Sequence, residues 1–175
     1  LYVPDSYDPN TATPLVFNIH GYAQWPANQS NISNWNELAD EEGFIVVYPM
    51  GTGLPFRWAT SKGVDESPEA MKEVLFISDL IDKLSAEYNI APQRVFASGL
   101  SNGGGMSFML SCTLADRIAA IGGVSGAYLY PWESCNPLRP VPLVAFHGIV
   151  DEVVPYYGGP SKMFDVPFPN IPEWM

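Results

Sequence analysis

The 175-residue chain sets nineteen acidic against eight basic side chains, a formal charge of -11. Such a charge repels nucleic-acid backbones and anionic lipid surfaces, and no uninterrupted apolar stretch approaches the roughly 18 residues of a membrane span, so neither nucleic acid nor membrane is an expected partner. With 47% apolar residues the chain can bury a substantial core, and its length suits one domain over 1–175.

In chain order, Leu1-Tyr2-Val3-Pro4 looks like the end of a strand whose beginning is absent, which suggests a fragment. Pro14 to His20 is a short apolar run closed by His-Gly, the pattern of a buried parallel strand bounded by a turn. Ser33 or Asn34 can cap a helix carrying Trp35, Leu38 and Ala39, and Gly43 can end it in the left-handed conformation. Phe44 to Tyr48 is a second buried strand, stopped by Pro49. Met50 to Pro68, rich in Gly, Pro and polar residues, reads as a surface loop that shapes a site. From Glu69 to Tyr88, the positions Val74, Ile77, Ile81, Leu84 and Tyr88 recur at three and four residues, an amphipathic helix over a sheet. Arg94 to Ser98 is a third strand and Asn102 to Cys112 the helix after it. Ile118 to Val124 and Val141 to Phe146 are two further strands. No internal repeat, low-complexity tract or second domain is evident. The alternation predicts an α/β fold, a mostly parallel central sheet with helices on both faces, in which reactive residues gather at the carboxyl ends of the strands.

Three features fall at those ends: His20-Gly21-Tyr22-Ala23-Gln24, Gly99-Leu100-Ser101-Asn102-Gly103, and His147-Gly148-Ile149-Val150-Asp151. The middle one is a Gly-x-Ser-x-Gly pentapeptide between a strand and a helix. A serine on so sharp a turn needs neighbours almost without side chains. Ser101 is therefore the candidate nucleophile. A serine hydroxyl needs a base to take its proton, an acid to orient that base, and fixed donors for the oxyanion. Asp151, just past the fifth strand, fits the acid; Glu152 beside it and Asp116, close to the elbow helix, fit less well. The backbone amides of Asn102 and Tyr22 are the expected oxyanion donors. His20 precedes the serine and belongs to the oxyanion loop, where it reads as a structural residue or one that supports the site from behind; His147, before the acid at a strand end, reads as a satisfied buried imidazole.

Together with Trp35-Asn36-Glu37-Leu38-Ala39 and Gly43-Phe44-Ile45-Val46-Val47-Tyr48-Pro49, these motifs resemble the polyhydroxybutyrate depolymerase-like esterases, the group that also holds feruloyl and acetyl xylan esterases. The resemblance implies an α/β-hydrolase fold, a Ser-His-Asp triad with neither metal nor organic cofactor, an ester substrate, and a secreted or periplasmic setting. It puts the nucleophile on Ser101, the acid on Asp151 and the oxyanion loop at Tyr22. Family members carry the catalytic histidine well after the acid; here no histidine follows Asp151, so the expected α/β-hydrolase domain is incomplete, truncated at both ends, and the third triad member is unassigned.

Trp25, Trp58 and Tyr128 are candidate substrate-binding aromatics, with Tyr130, Trp132, Tyr156 and Tyr157 also expected near the cleft; core packing or a simple apolar wall is the competing role for each. Cys112 and Cys135 either pair, in keeping with an oxidising compartment, or are two buried thiols. The consecutive sequons Asn28-Gln29-Ser30 and Asn31-Ile32-Ser33 permit glycosylation on a secretory route. The leading functional reading is a serine carboxylic ester hydrolase. A catalytically incomplete hydrolase-fold binding protein and a serine peptidase are the alternatives, because fold and triad do not fix the scissile bond.

Overall fold

The computed structural model describes residues 1–60 and 68–174. Its centre is a five-stranded, wholly parallel sheet: β1 (Thr13–Ile19), β2 (Ile45–Val47), β3 (Ile90–Leu100), β4 (Ala120–Val124) and β5 (Leu143–Phe146), in the order β2-β1-β3-β4-β5. The reversal of strand order between β1 and β3 opens the crevice in which doubly wound sheets place their sites. Tyr2 adds a single antiparallel bridge to Val46 at the far edge.

Side chains alternate across the strands, so each face has its own cover. Leu15, Phe17 and Ile19 of β1 and Val95 and Ala97 of β3 join the main core. Against them pack Val74, Ile77, Ile81 and Leu84 of α3 (Pro68–Glu87) and the apolar residues of α4 (Asn102–Thr113). Every residue of α4 from Gly103 to Cys112 is buried; with no solvent face the helix shows no amphipathic period. On the opposite face Val16, Val46 and Phe44 meet Ala39 and Trp35 of α2 (Trp35–Glu42). Beyond β3 no described element covers that face, and Val124, Val144 and Phe146 are exposed.

Helix α1 (Pro26–Ser33) is not expected from sequence. It has no apolar stripe; polar bonds hold it instead, Gln29 Nε2 donating to Asn18 Oδ1 (2.6 Å) and Asn18 Nδ2 to Ser33 Oγ (2.9 Å). Asn34 occupies the cap of α2 but in the left-handed region (φ 54°), and its side chain makes no capping bond; Gly43 (φ 70°) closes the helix, its N–H donating to Ala39 O. The expected helix 69–88 is found within a residue at each end. β3 runs longer than 94–98, while β4 and β5 begin two residues later than their apolar runs. Of the expected surface loop 50–68, residues 61–67 lie outside the described residues, and the part before them is not all surface, since Gly51, Trp58 and Thr60 are buried. A 3-10 turn (Trp132–Ser134), a two-stranded antiparallel piece of β6 (Gly159–Pro160) and β7 (Pro167–Phe168), and the short α5 (Ile171–Trp174) complete the described elements. Cys112, in the last turn of α4, is disulfide-bonded to Cys135, with the α-carbons 4.8 Å apart. No helix among the described residues is long and apolar enough to cross a membrane.

Candidate active site

Ser101 stands at the corner between β3 and α4 with φ 54° and ψ -117°, a conformation that costs an L-residue roughly 1–3 kcal/mol. The surrounding backbone enforces it. The Ser101 N–H donates to Val124 O (2.9 Å), and Ser101 O accepts from both Gly105 N (3.0 Å) and Ala127 N (2.9 Å). The pentapeptide glycines are where chain meets chain: a Cβ on Gly99 would stand 2.3 Å from the carbonyl carbon of Gly103, and one on Gly103 would stand 2.1 Å from Ile19 O. The elbow can therefore nest against the end of β1 only without side chains at 99 and 103.

The His-Gly loop after β1 lies alongside. A Cβ on Gly21 would stand 3.3 Å from Leu100 O and 3.6 Å from Ser101 Cβ, so Tyr22 follows directly past the nucleophile. Among the described residues, neither the Tyr22 nor the Asn102 backbone N–H donates a hydrogen bond. Ser101, Asn102 and Tyr22 share one cavity of about 490 Å3, walled by Trp58, Ala127, Leu129, Phe164 and Phe168, with Arg57 and Asp165 also lining it. A second cavity of about 490 Å3, lined by Phe108, Trp132, Cys135 and Trp174 among others, has no titratable or nucleophilic side chain except the hydroxyl of Ser111, which is bonded to Phe108 O.

The loop before α3 braces both sides of the pocket. The Trp58 N–H donates to Asn102 Oδ1 (2.7 Å), and Asn102 Nδ2 returns bonds to Trp58 O (3.0 Å) and Thr60 Oγ1 (3.2 Å). The Trp58 indole donates to His20 O (3.1 Å), Gly51 N–H to His20 Nε2 (3.0 Å), and Ala23 N–H to Phe56 O (2.8 Å). Because His20 Nε2 accepts, its proton sits on Nδ1 and is given to Gly21 O (2.8 Å). Burial holds the His20 imidazole below its ordinary pKa, against the opposing pull of the Gly21 bond and the Glu73 charge. It is neutral and structural.

Asp151 sits in the turn after β5, outside the lining of the Ser101 cavity. Its Oδ1 accepts from the N–H groups of Val153 and Val154, both at 2.9 Å. Partial burial pushes its pKa up, but the Val154 N–H, the Ser125 side chain, the Val153 N–H and nearby His147 together carry it below the usual carboxylate value. Ser125 follows Val124, whose carbonyl holds Ser101, so the ends of β3, β4 and β5 meet around these bonds. Glu152 points away, paired with Lys162 at the surface.

Several expected placements need correction. Trp25 is 49% exposed and does not line the cavity, because α1 begins immediately after it. Tyr128, only 2% exposed, is a core residue: it stacks on Trp174 (4.0 Å between centroids) and meets Phe108 edge-on. Trp58 does reach the cavity, as a buried wall with its indole N–H committed. The His147 side chain is buried but only half satisfied: Nε2 donates to Val154 O (2.8 Å) and lies 3.9 Å from Asp151 Oδ2, while Nδ1 has no hydrogen-bond partner among the described residues. Not foreseen at all are Phe164 and Phe168, Ser125, and Glu73 on α3, whose buried carboxylate accepts from Thr52 N–H, Thr52 Oγ1 and Ala59 N–H. A lone acid on the apolar side of a helical stripe, at 73 beside Val74 and Ile77, is the one signal in the sequence that marks it.

Five parallel strands, a strained serine corner and a cavity at the strand ends define the α/β-hydrolase fold. Solved structures agree: an acetyl xylan esterase from Aspergillus awamori superposes with a TM-score of 0.64 at 23% identity, covering 76% of this chain and 49% of that one. Esterase PE8 superposes with 0.67 at 20%, covering 87% and 75%. Residues 1–135 match the family model described as Esterase PHB depolymerase, and the chain belongs to that family. It is 36% identical over 157 residues to a bifunctional acetylxylan esterase/xylanase of Neocallimastix patriciarum, covering 89% of this chain and 22% of that protein. It is 30% identical over 162 residues to feruloyl esterase C of Emericella nidulans, covering 91% and 56%. The chain thus spans between about a fifth and somewhat over half of the length of these relatives.

Proposed function

We propose that this chain carries the nucleophilic side of a serine carboxylic ester hydrolase that works through an acyl-enzyme on Ser101. The observation that carries the reading is the strained Ser101 corner opening into a cavity that also holds two unspent backbone donors, at Tyr22 and Asn102. In this reading the Ser101 hydroxyl attacks the ester carbonyl as its proton passes to an imidazole base, and the two N–H groups hold the oxyanion. The proton then goes to the leaving alcohol, and water, deprotonated by the same base, releases the acid. Asp151, kept ionised by its four partners, orients the base. His20 spends both ring nitrogens on the backbone and His147 spends Nε2, so the reading assigns the base to neither.

The apolar and aromatic walls suit a small or aromatic acyl group, and the names of the relatives point to feruloyl, acetyl or hydroxyalkanoate esters. The disulfide favours a secreted or periplasmic setting. Ser101→Ala in the full-length protein is expected to abolish fluorophosphonate labelling and to lower turnover of a short-chain nitrophenyl ester by several orders of magnitude, with the circular dichroism spectrum unchanged. Undiminished turnover would sink the assignment. These backbone bonds of the two histidines also favour a second reading, a hydrolase-fold binding protein without catalysis, and absence of any Ser101-dependent labelling in the unsubstituted protein would select it.

A further inference from the structure

Glu73 is a buried carboxylate, 2% exposed, with no part in the chemistry above. Among the described residues, all of its hydrogen bonds go to one loop. Oε1 accepts from the Thr52 N–H (3.0 Å) and hydroxyl (2.7 Å), and Oε2 from the Ala59 N–H (2.7 Å). The carboxylate therefore spans the loop's two ends as a clasp. A charge-assisted bond inside a protein is short and strong, and burying such a group is tolerated only when its lone pairs are used.

Between those ends the loop touches both halves of the site. Phe56 O accepts from Ala23, next to Tyr22, and the Trp58 indole holds the carbonyl of His20. Trp58 N–H and O and Thr60 Oγ1 grip the side chain of Asn102. The two expected oxyanion donors come from distant parts of the sequence and from different elements; what cross-braces them is this loop, and what sets the loop's shape is Glu73. A donor displaced by about 1 Å costs roughly a hundredfold in rate.

We infer that Glu73 is a positioning residue for ester hydrolysis, fixing the separation of the Tyr22 and Asn102 amides through the 51–60 loop. The inference rests on the function proposed above. Glu73→Gln keeps size and polarity but replaces one acceptor oxygen by a donor that faces an N–H. In the full-length protein it is expected to lower kcat on a nitrophenyl ester by ten- to a hundredfold with KM changed less than about threefold, because ground-state binding does not use the oxyanion geometry. Thr52→Val, which removes only the hydroxyl bond, should give a smaller loss in the same direction and serves where Glu73→Gln folds poorly. Ile81→Val, a core change on the same helix, is the control: a lowered Tm with kcat retained separates positioning from stability. A kcat within twofold of the parent in both loop variants, or an equal loss of kcat in Ile81→Val, overturns the inference. Turnover that survives Ser101→Ala overturns the enzymatic reading as well, whereas turnover that depends on Ser101 but not on Glu73 overturns this inference alone.

Discussion

Ser101 keeps a positive φ that glycine would adopt without penalty, so the fold stores conformational energy at the position of the proposed nucleophile. Ser101→Gly is therefore expected to be more stable than Ser101→Ala by about 1 kcal/mol, read as a higher Tm in thermal unfolding. An equal or lower Tm would mean that the corner is not strained. Two other residues shape the response to acid. His20, buried and held below its ordinary pKa, binds its proton more readily when unfolded, so stability falls as pH drops below the unfolded value of about 6.5. Asp151 has a depressed pKa, so its contribution is present above the unfolded value of about 3.9 and is lost as pH falls through the lower, folded one. Melting curves of the parent and Asp151→Asn should differ most near neutrality and converge below about pH 4, while both keep the shallower decline due to His20. A gap that stays constant down to pH 2 would contradict this.

The elements divide into those that sequence periodicity reveals and those that only tertiary contact creates. The stripe Val74, Ile77, Ile81 and Leu84 makes α3 legible because one face is buried and the other wet; β1 and β2 are legible because strands covered on both faces are continuously apolar. The elbow is legible for a steric reason, since the close approaches at Gly99 and Gly103 exclude any side chain. α1 is not, because Pro-Ala-Asn-Gln-Ser-Asn-Ile-Ser has no apolar period and is held by Gln29, Asn18 and Ser33 across the chain. For the same reason the walls at Phe164 and Phe168 escape a local reading, and an aromatic at 25, 58 or 128 carries no mark of whether it faces cavity, core or solvent. The disulfide also acts at this scale. It ties the last turn of α4 to the segment after the 3-10 turn, closing a loop between residues 23 apart in sequence. Its removal in Cys112→Ser/Cys135→Ser should cost about 3 kcal/mol by loop-closure entropy, measured by urea unfolding; a loss below about 1 kcal/mol would show that the folded state relaxes to recover it.

Among the described residues the two faces of the sheet are unequally covered: α3 and α4 pack on one face, whereas on the other the β4–β5 end shows Val124, Val144 and Phe146 to solvent, Phe146 at 64%. A contiguous apolar strip of this kind on an acidic protein binds hydrophobic dyes and promotes association. Val144→Thr/Phe146→Ser should lower anilinonaphthalene sulfonate fluorescence and light scattering of the 1–175 chain without moving Tm by more than a few degrees; unchanged dye binding would place the apolar surface elsewhere. The parallel topology has a consequence during synthesis. Leu15 pairs with Val95 and Phe17 with Ala97, so the central ladder joins segments about 80 residues apart. At the usual 5–20 residues per second a ribosome needs roughly 4–16 s to deliver β3 after β1 has emerged. Throughout that interval β1 can pair only with the short β2 on one side, while the edge that β3 will cover stays bare, and what that edge meets in those seconds, a chaperone or a neighbouring nascent chain, governs the yield of folded protein.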